Sequence, residues 1–327
     1  MGGLTFMEII YFLLPLVIAS TVPLALVALG ALFSERSGVV NIALEGIMLM
    51  GAYVGAVVIK QLESNAAMSD QSIAIIGLLV GALIGAIFSL LHAFASINMK
   101  ANQIISATAL NMFAPAFAIF MNRTLSESGT QKVTILRSYR ISEVPLLSEI
   151  PFLGDILFKG AYISTLMGII IFIFAVFVLY RTRIGLRLRA CGENPHAADS
   201  LGINIYKIRY LGVIISGALA GMGGVIFVLS FAANFNATVS GFGFLALAVL
   251  IFGNWKPGRI IVAAIFFASM RVISSTYSVI PFLKQLELDS EIYSMLPYLA
   301  TLIVLAFVSK NSAAPKAAGE PYDPGKR

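Results

Sequence analysis

Apolar residues in this chain form long, nearly unbroken runs separated by short polar stretches. The runs fall at about 9–33, 39–59, 72–97, 102–121, 161–180, 208–231, 242–253, 259–277 and 292–309. Most have the roughly 17–25 residues that carry an α-helix across a hydrocarbon core of about 30 Å. Helices of a soluble bundle would each show a polar stripe, and few polar residues interrupt these runs. The pattern predicts an all-α, polytopic transmembrane bundle of about nine spans, within a range of eight to ten. The 242–253 run is short for a crossing and is expected to begin earlier or to re-enter.

Composition agrees. Of 327 residues, 59% are hydrophobic and only 12% charged, where a soluble domain carries roughly a quarter. The single cysteine, Cys191, excludes an intramolecular disulfide. The opening MGGLTFMEII has no basic stretch, so the first run is expected to be a retained helix. The formal charge of +6 does not call for nucleic acid as a partner. Arg181, Arg183, Arg187, Arg189, Lys207 and Arg209 crowd one polar loop, and Lys100, Lys256 and the lysines after 309 fall on the same side of a nine-span chain. Basic loops mark the cytoplasmic face, which places the N-terminus outside and the C-terminus inside. Residues 1–309 are then the membrane domain, with an external loop at 122–160 and a cytoplasmic loop at 181–207. The external loop is expected to form a small cap with a hairpin and a short interfacial helix. Residues 310–327, rich in Pro, Ala and Gly, are expected to be a disordered cytoplasmic tail.

Glycines at helix-packing spacing mark several spans: Gly51 and Gly55; Gly77, Gly81 and Gly85; Gly217, Gly221 and Gly224. They read as seams where helices approach closely, either within this chain or against a partner.

Polar side chains inside the runs are the candidates for a solute pathway. Asn41 and Glu45 share one helical face, with Glu45 about 9 Å into its run at 1.5 Å per residue. A structural hydrogen bond, for instance with Arg36, is the equal alternative. Asn111 precedes Pro115, which is expected to kink its helix. In FAANFNATVSGFGF, Phe231, Phe235, Phe242 and Phe244 alternate with Asn234, Asn236, Thr238 and Ser240, aromatic faces beside amides that suit a ring-bearing polar solute. An interfacial aromatic belt explains the same residues. Arg271 is expected to snorkel to the outer surface, and His92 to be a satisfied packing residue. No catalytic grouping or metal site stands out.

The polar loop RACGENPHAADSLGINIYKIR contains a short capped helix. Asn194 is an N-cap, Pro195 takes the first helical position, and Gly202 supplies a left-handed stop. Ala197, Ala198 and Leu201 would give this helix a smooth face for a groove on another protein. An amphipathic loop lying on an anionic leaflet would carry the same residues.

At GLRLRACGENPHAADSLGINI (185–205) the sequence resembles the permease subunits of bacterial ABC importers for simple sugars, nucleosides and related solutes. The stretches SERSGVVNIALEGIMLMGAY (34–53), SGFGFLALAVLIFGNWKPGR (240–259) and AAGEPYDPGKR (317–327) are similar to that family too, so the likeness runs along nearly the whole chain. The tail looks like that of the shorter of two paired permeases in nucleoside uptake systems. The resemblance implies a non-enzymatic subunit of the bacterial cytoplasmic (inner) membrane that translocates nucleosides by alternating access. A simple sugar such as a pentose is the alternative solute, and an autonomous channel or ion-coupled transporter the alternative class. It also implies a second homologous permease, an ATP-binding cassette subunit that alone holds ATP and Mg, and a substrate-binding lipoprotein or periplasmic protein. Gly192, Glu193, Asn194, Pro195, Ala197, Ala198, Leu201 and Gly202 would form the coupling element that docks on the ATPase.

Overall fold

The computed structural model describes residues 6–64, 68–125, 132–144, 148–151, 154, 158–232, 234–286, 288–308 and 313–325. They are mostly helical. The long helices are α1 (Phe6–Arg36), α2 (Leu44–Glu63), α3 (Asp70–Ala93, continued by a π-helical turn Phe94–Asn98), α4 (Gln103–Leu125) and α5 (Ile163–Arg181). After the short α6 (Arg183–Glu193) and α7 (Pro195–Ser200) come α8 (Ile205–Phe231), α9 (Phe242–Phe252), α10 (Pro257–Thr276), α11 (Pro281–Gln285) and α12 (Ser290–Val308).

Among the described residues, seven helices are long and apolar enough to cross a membrane: α1 to α5, α8 and α10. Two further runs took helical form without joining that set. The 11 residues of α9 rise only about 16 Å, as the shortness of the 242–253 run foretold. The side chains of α12 from 303 onward lie outside the described residues.

The most extensive helix packing surrounds α8, which lies against α3, α1 and α2. Glycine makes this possible. A Cβ on Gly221 would stand 2.0 Å from the Gly81 carbonyl oxygen, one on Gly85 2.1 Å from the Gly217 carbonyl oxygen, and one on Gly51 2.4 Å from the Gly221 Cα. The backbones of α2, α3 and α8 therefore touch, and these seams lie within this chain. On the far side of α3, Leu79, Leu83 and Ile87 point outward. An apolar exterior is what a lipid solvent selects.

Outside the polar loop around α6 and α7, the chain differs from the expected elements in three places. First, the helix foreseen at 39–59 begins only at Leu44. Residues 37–43 are non-helical, and their polar groups find protein partners: the Ser34 hydroxyl donates to the Val39 carbonyl, and the Val40 amide donates to the Gln103 side chain at 2.7 Å. Irregular backbone inside a membrane protein survives only with such partners. His92 joins them, with its ring nitrogens 3.0 Å from the Ser106 hydroxyl and from the Val40 carbonyl oxygen.

Second, the described part of the 122–160 loop forms a cap with two small sheets. β2 (Arg140–Glu143) pairs antiparallel with β3 (Lys159–Tyr162), the expected hairpin, while β1 (Val133–Thr134) pairs with β4 (Asn234–Phe235). The stretch foreseen as an interfacial helix falls largely on 145–147, 152–153 and 155–157, outside the described residues. The cap is pinned to the end of α2 by Glu63, whose carboxylate accepts the Leu136 and Arg137 amides and the Tyr139 hydroxyl. Burial and this carboxylate together push the Tyr139 phenol well above its ordinary pKa.

Third, the described part of the tail, 313–325, is not disordered. It packs under α6 and α7, with Ala317 and Tyr322 each 6% exposed. A Pro/Ala/Gly stretch has no apolar run to announce this, but its backbone groups bond neighbouring turns.

Candidate functional site

Two places concentrate the candidate residues. At the end of the bundle where α6 and α7 meet the tail, the predicted caps form. The Asn194 side chain accepts the Ala197 amide at 3.0 Å, Pro195 stands at the first turn, and Gly202 has φ +77°. The approach is itself a helix, α6, which was not expected. Thr182 starts it by accepting the Gly185 amide at 3.2 Å.

The predicted contact face divides. Leu201 is 82% exposed and Ala197 also points outward, whereas Pro195 and Ala198 face the body of the protein. Ala198 lies in an apolar cluster with Cys191, Ile205 and Tyr322, so it supports the helix from beneath. Burial in this cluster pushes the Cys191 thiol up to about 11. Gly192 is a contact with α1: a Cβ there would stand 2.5 Å from the Arg36 carbonyl oxygen. Glu193 pairs with Arg36 at 3.1 Å, and Arg36 also donates to the Trp255 carbonyl at 3.2 Å. Gly192 and Glu193 thus tie the loop to α1 and the α9–α10 turn.

The second place is the start of α9. Its first amides have no capping side chain of their own, and Glu45 of α2 supplies one. The carboxylate accepts the Gly241 amide at 2.9 Å and the Gly243 amide at 2.7 Å. A carboxylate at a helix N-terminus meets both unpaired donors and the positive end of the macrodipole. Glu45 therefore has a structural partner, although not Arg36. Asn41 and Asn111 hold the same junction. Asn41 donates to the Ser216 hydroxyl at 3.0 Å and accepts the Ala43 amide at 3.1 Å. Asn111 accepts the Gly46 amide at 2.8 Å and donates to the Ile42 carbonyl at 2.9 Å.

Arg271 turns toward the start of α9. Its guanidinium lies 4.5 Å from the Phe242 ring centroid and within electrostatic reach of Glu45 and Tyr298. With Gly241, Phe244 and Tyr298 it lines a cavity of about 160 Å³. From Phe242, ring contacts lead through Phe227 at 4.8 Å to Phe231 at 5.9 Å. Phe231 borders a second cavity of about 300 Å³ against the cap, with Tyr139 and Tyr162. Of the remaining predicted residues, Asn234 and Asn236 are exposed at the cap, Asn234 accepting the Thr134 hydroxyl at 2.9 Å, while Phe235 is buried in the β1–β4 pairing. Phe235 is thus part of the cap's core and not of a solute surface.

Gly241, Gly243, Phe242, Arg271 and Tyr298 complete the inner cluster; the sequence offered Phe242 as one of a solute-facing aromatic series but did not join it to Glu45 or Arg271, and it left Gly241, Gly243 and Tyr298 unassigned. One signal was present: a helix starting at GFGF among apolar residues needs an external acceptor for its amides.

Comparison with known proteins decides the family. Residues 14–305 match the family described as "Branched-chain amino acid transport system / permease component". The chain belongs to that family. It is 41% identical over 301 residues to the nucleoside ABC transporter permease protein NupC of Lactococcus lactis subsp. cremoris (strain MG1363), covering 92% of this chain and 93% of the relative. It is 38% identical over 324 residues to the guanosine ABC transporter permease protein NupQ of Bacillus subtilis (strain 168), covering 98% and 99%. The same Lactococcus strain has a more distant relative, the nucleoside ABC transporter permease protein NupB, 24% identical over 262 residues, covering 76% and 68%. No solved structure matches the chain. The family resemblance read from the loop and tail motifs is therefore correct.

Proposed function

We propose that this permease is one of two membrane subunits of an ATP-driven importer that carries nucleosides across the bacterial cytoplasmic membrane. The observation that carries the reading is α7, capped by Asn194 and Gly202 and with Leu201 exposed beside it, in a chain so similar to NupC and NupQ over nearly its full length. A two-turn helix with an exposed Leu201 is a compact handle for a partner's groove. In this reading the α7 end, ringed by Arg183, Arg187 and Lys207, faces the cytoplasm and an ATP-binding cassette subunit, where ATP and Mg are bound. The chain passes the membrane nine times, counting α9 and α12, with its N-terminus outside.

A second permease completes the pathway. The cavity beside Arg271, at about 160 Å³, is smaller than the roughly 300–1,000 Å³ of small-molecule sites, so a nucleoside site there needs a wall from the partner. The exposed ring of Phe244 beside Arg271 suits a flat base, and the cap would receive a solute-binding lipoprotein or periplasmic protein. Movement of α7 on ATP-driven closure of the ATPase pair would alternate access between the two faces.

Proteoliposomes test this directly. Guanosine uptake should require ATP, the ATP-binding subunit and the second permease together. ATP-independent flux through this chain alone, or ATP-driven ribose uptake without nucleoside uptake, would overturn it.

A further inference from the structure

Residues 313–325 bind the turns at the α7 end of the bundle to one another. The Ala313 amide donates to the Asn254 side chain at 2.6 Å, in the α9–α10 turn. The Ala317 amide donates to the Gly192 carbonyl at 2.9 Å, and the Gly319 amide to the Gly38 carbonyl at 3.2 Å, between α1 and α2. Arg209 of α8, 1% exposed, donates to the Glu320 carbonyl at 2.9 Å. Asp323 pairs with Lys100, in the turn before α4, at 3.5 Å.

Tyr322 is where this segment meets α7. Its ring stands 5.3 Å from the His196 ring and 5.8 Å from the Tyr206 ring, and its hydroxyl lies within electrostatic reach of Asp199. Only Pro195 and Ala198 of the six α7 residues are buried, so α7 has little hold of its own on the spans. Beyond Asn194 it continues into α8 through the turn at Gly202, with Ala198 packed against Ile205 at the start of α8. Pushed from outside, such a short helix would swing about its two ends.

We propose that Tyr322 is a positioning residue for energy coupling, and that residues 317–322 are a strap that makes α7 move together with the α1–α2 junction and α8. The strap joins α7, through Glu320 and Gly319, to Arg209 and Gly38. Arg209 lies on α8, and Gly38 in the α1–α2 junction, which leads into α2 and so to Glu45 at the start of α9. Displacement of α7 then reaches the inner cluster through packed elements. The proposal rests on α7 being the ATPase contact.

The test uses the complete importer in proteoliposomes, with uptake and ATP hydrolysis measured together. Tyr322→Ala should lower uptake about tenfold while hydrolysis and co-purification of the ATPase stay within about twofold, so that more ATP is spent per solute. Tyr322→Phe, which keeps the ring over α7, should recover most of the uptake. Cys191, the chain's one thiol and covered by Tyr322, should become reactive to maleimide in Tyr322→Ala, an independent sign that the strap has left α7. An unchanged ratio of solute to ATP with Cys191 exposed would overturn the proposal. So would loss of uptake in strict proportion to loss of ATPase association. If Tyr322→Ala does not accumulate, Tyr322→Leu, which fills part of the space without the ring contacts to His196 and Tyr206, takes the same readouts. Leu201→Asp separates the two levels. If it leaves uptake intact, α7 is not the contact; if it abolishes uptake while Tyr322→Ala behaves as wild type, only the strap fails.

Discussion

The Glu45 carboxylate and the Gly243 amide meet at 2.7 Å, across nearly two hundred residues of chain, and this contact sets the level at which α9 begins. There is no room for an alternative: a Cβ on Gly243 would stand 2.4 Å from the Glu45 amide nitrogen. Hydrogen bonds to an ionised acceptor contribute about 1.5–3 kcal/mol each when buried. Glu45→Ala should therefore lower the stability of the detergent-solubilised protein by about 3 kcal/mol, and Glu45→Gln, which still accepts one bond, by about 1 kcal/mol. Thermal unfolding followed by intrinsic fluorescence checks the order. An unchanged midpoint for Glu45→Ala would mean that water replaces the carboxylate and that this face is open to a pathway.

The glycine seam gives a sharper contrast. Gly221→Ala places a methyl against the Gly81 carbonyl, and overpacking of this kind costs about 1–3 kcal/mol even where helices can shift apart. Gly258→Ala meets nothing within 4 Å and should leave stability unchanged. Size-exclusion profiles in detergent after mild heating would distinguish the pair. Equal behaviour would mean that α3 and α8 do not pack through these residues.

How much of this could be read from the residues follows from the range of each interaction. The α7 caps were legible because Asn194 bonds an amide three residues on and Gly202 supplies its own φ. The glycine seams were legible as seams, since their spacing puts them on one face, but not as contacts within one chain. Which side of α7 faces out was not legible. Ala197 and Ala198 are chemically alike, and only the body behind them, including Tyr322, makes one exposed and one buried. Glu45 was marked by its cost in a membrane, yet its partners are backbone amides that any sequence carries. The tail misled for the opposite reason: its composition signals no core, while its order comes from hydrogen bonds to Gly192, Gly38 and Asn254.

The split face of α7 makes its own prediction. Leu201→Asp changes an 82% exposed side chain and should leave folding intact while reducing co-purification of the ATP-binding subunit. Ala198→Asp buries a carboxylate beside Cys191 and Ile205 and should destabilise the loop itself, since an unpaired buried charge costs several kcal/mol or drives local opening. Proteolysis within 190–205, compared with pull-down of the ATPase, separates the effects. Similar loss of the partner in both variants without added proteolysis in Ala198→Asp would show that Ala198 reaches the interface after all.

Cys191 offers a pH test of the same packing. Burial holds its thiol neutral up to about 11, against an ordinary value of about 8.5, so the reactive thiolate is scarce at pH 8. Maleimide labelling of the intact protein should be slow at pH 8 and keep accelerating up to about pH 10, where an exposed thiol would already have levelled off. The sign for stability follows from the same shift. The folded state prefers the protonated thiol, so its contribution is complete below the unfolded value and is lost as pH rises through the folded one. Melting temperature should thus fall between about pH 9 and 11, and Cys191→Ser should flatten part of that fall. Rapid labelling of the native protein at pH 8, with a plateau near pH 9, would show that Tyr322 and Ala198 do not cover the thiol.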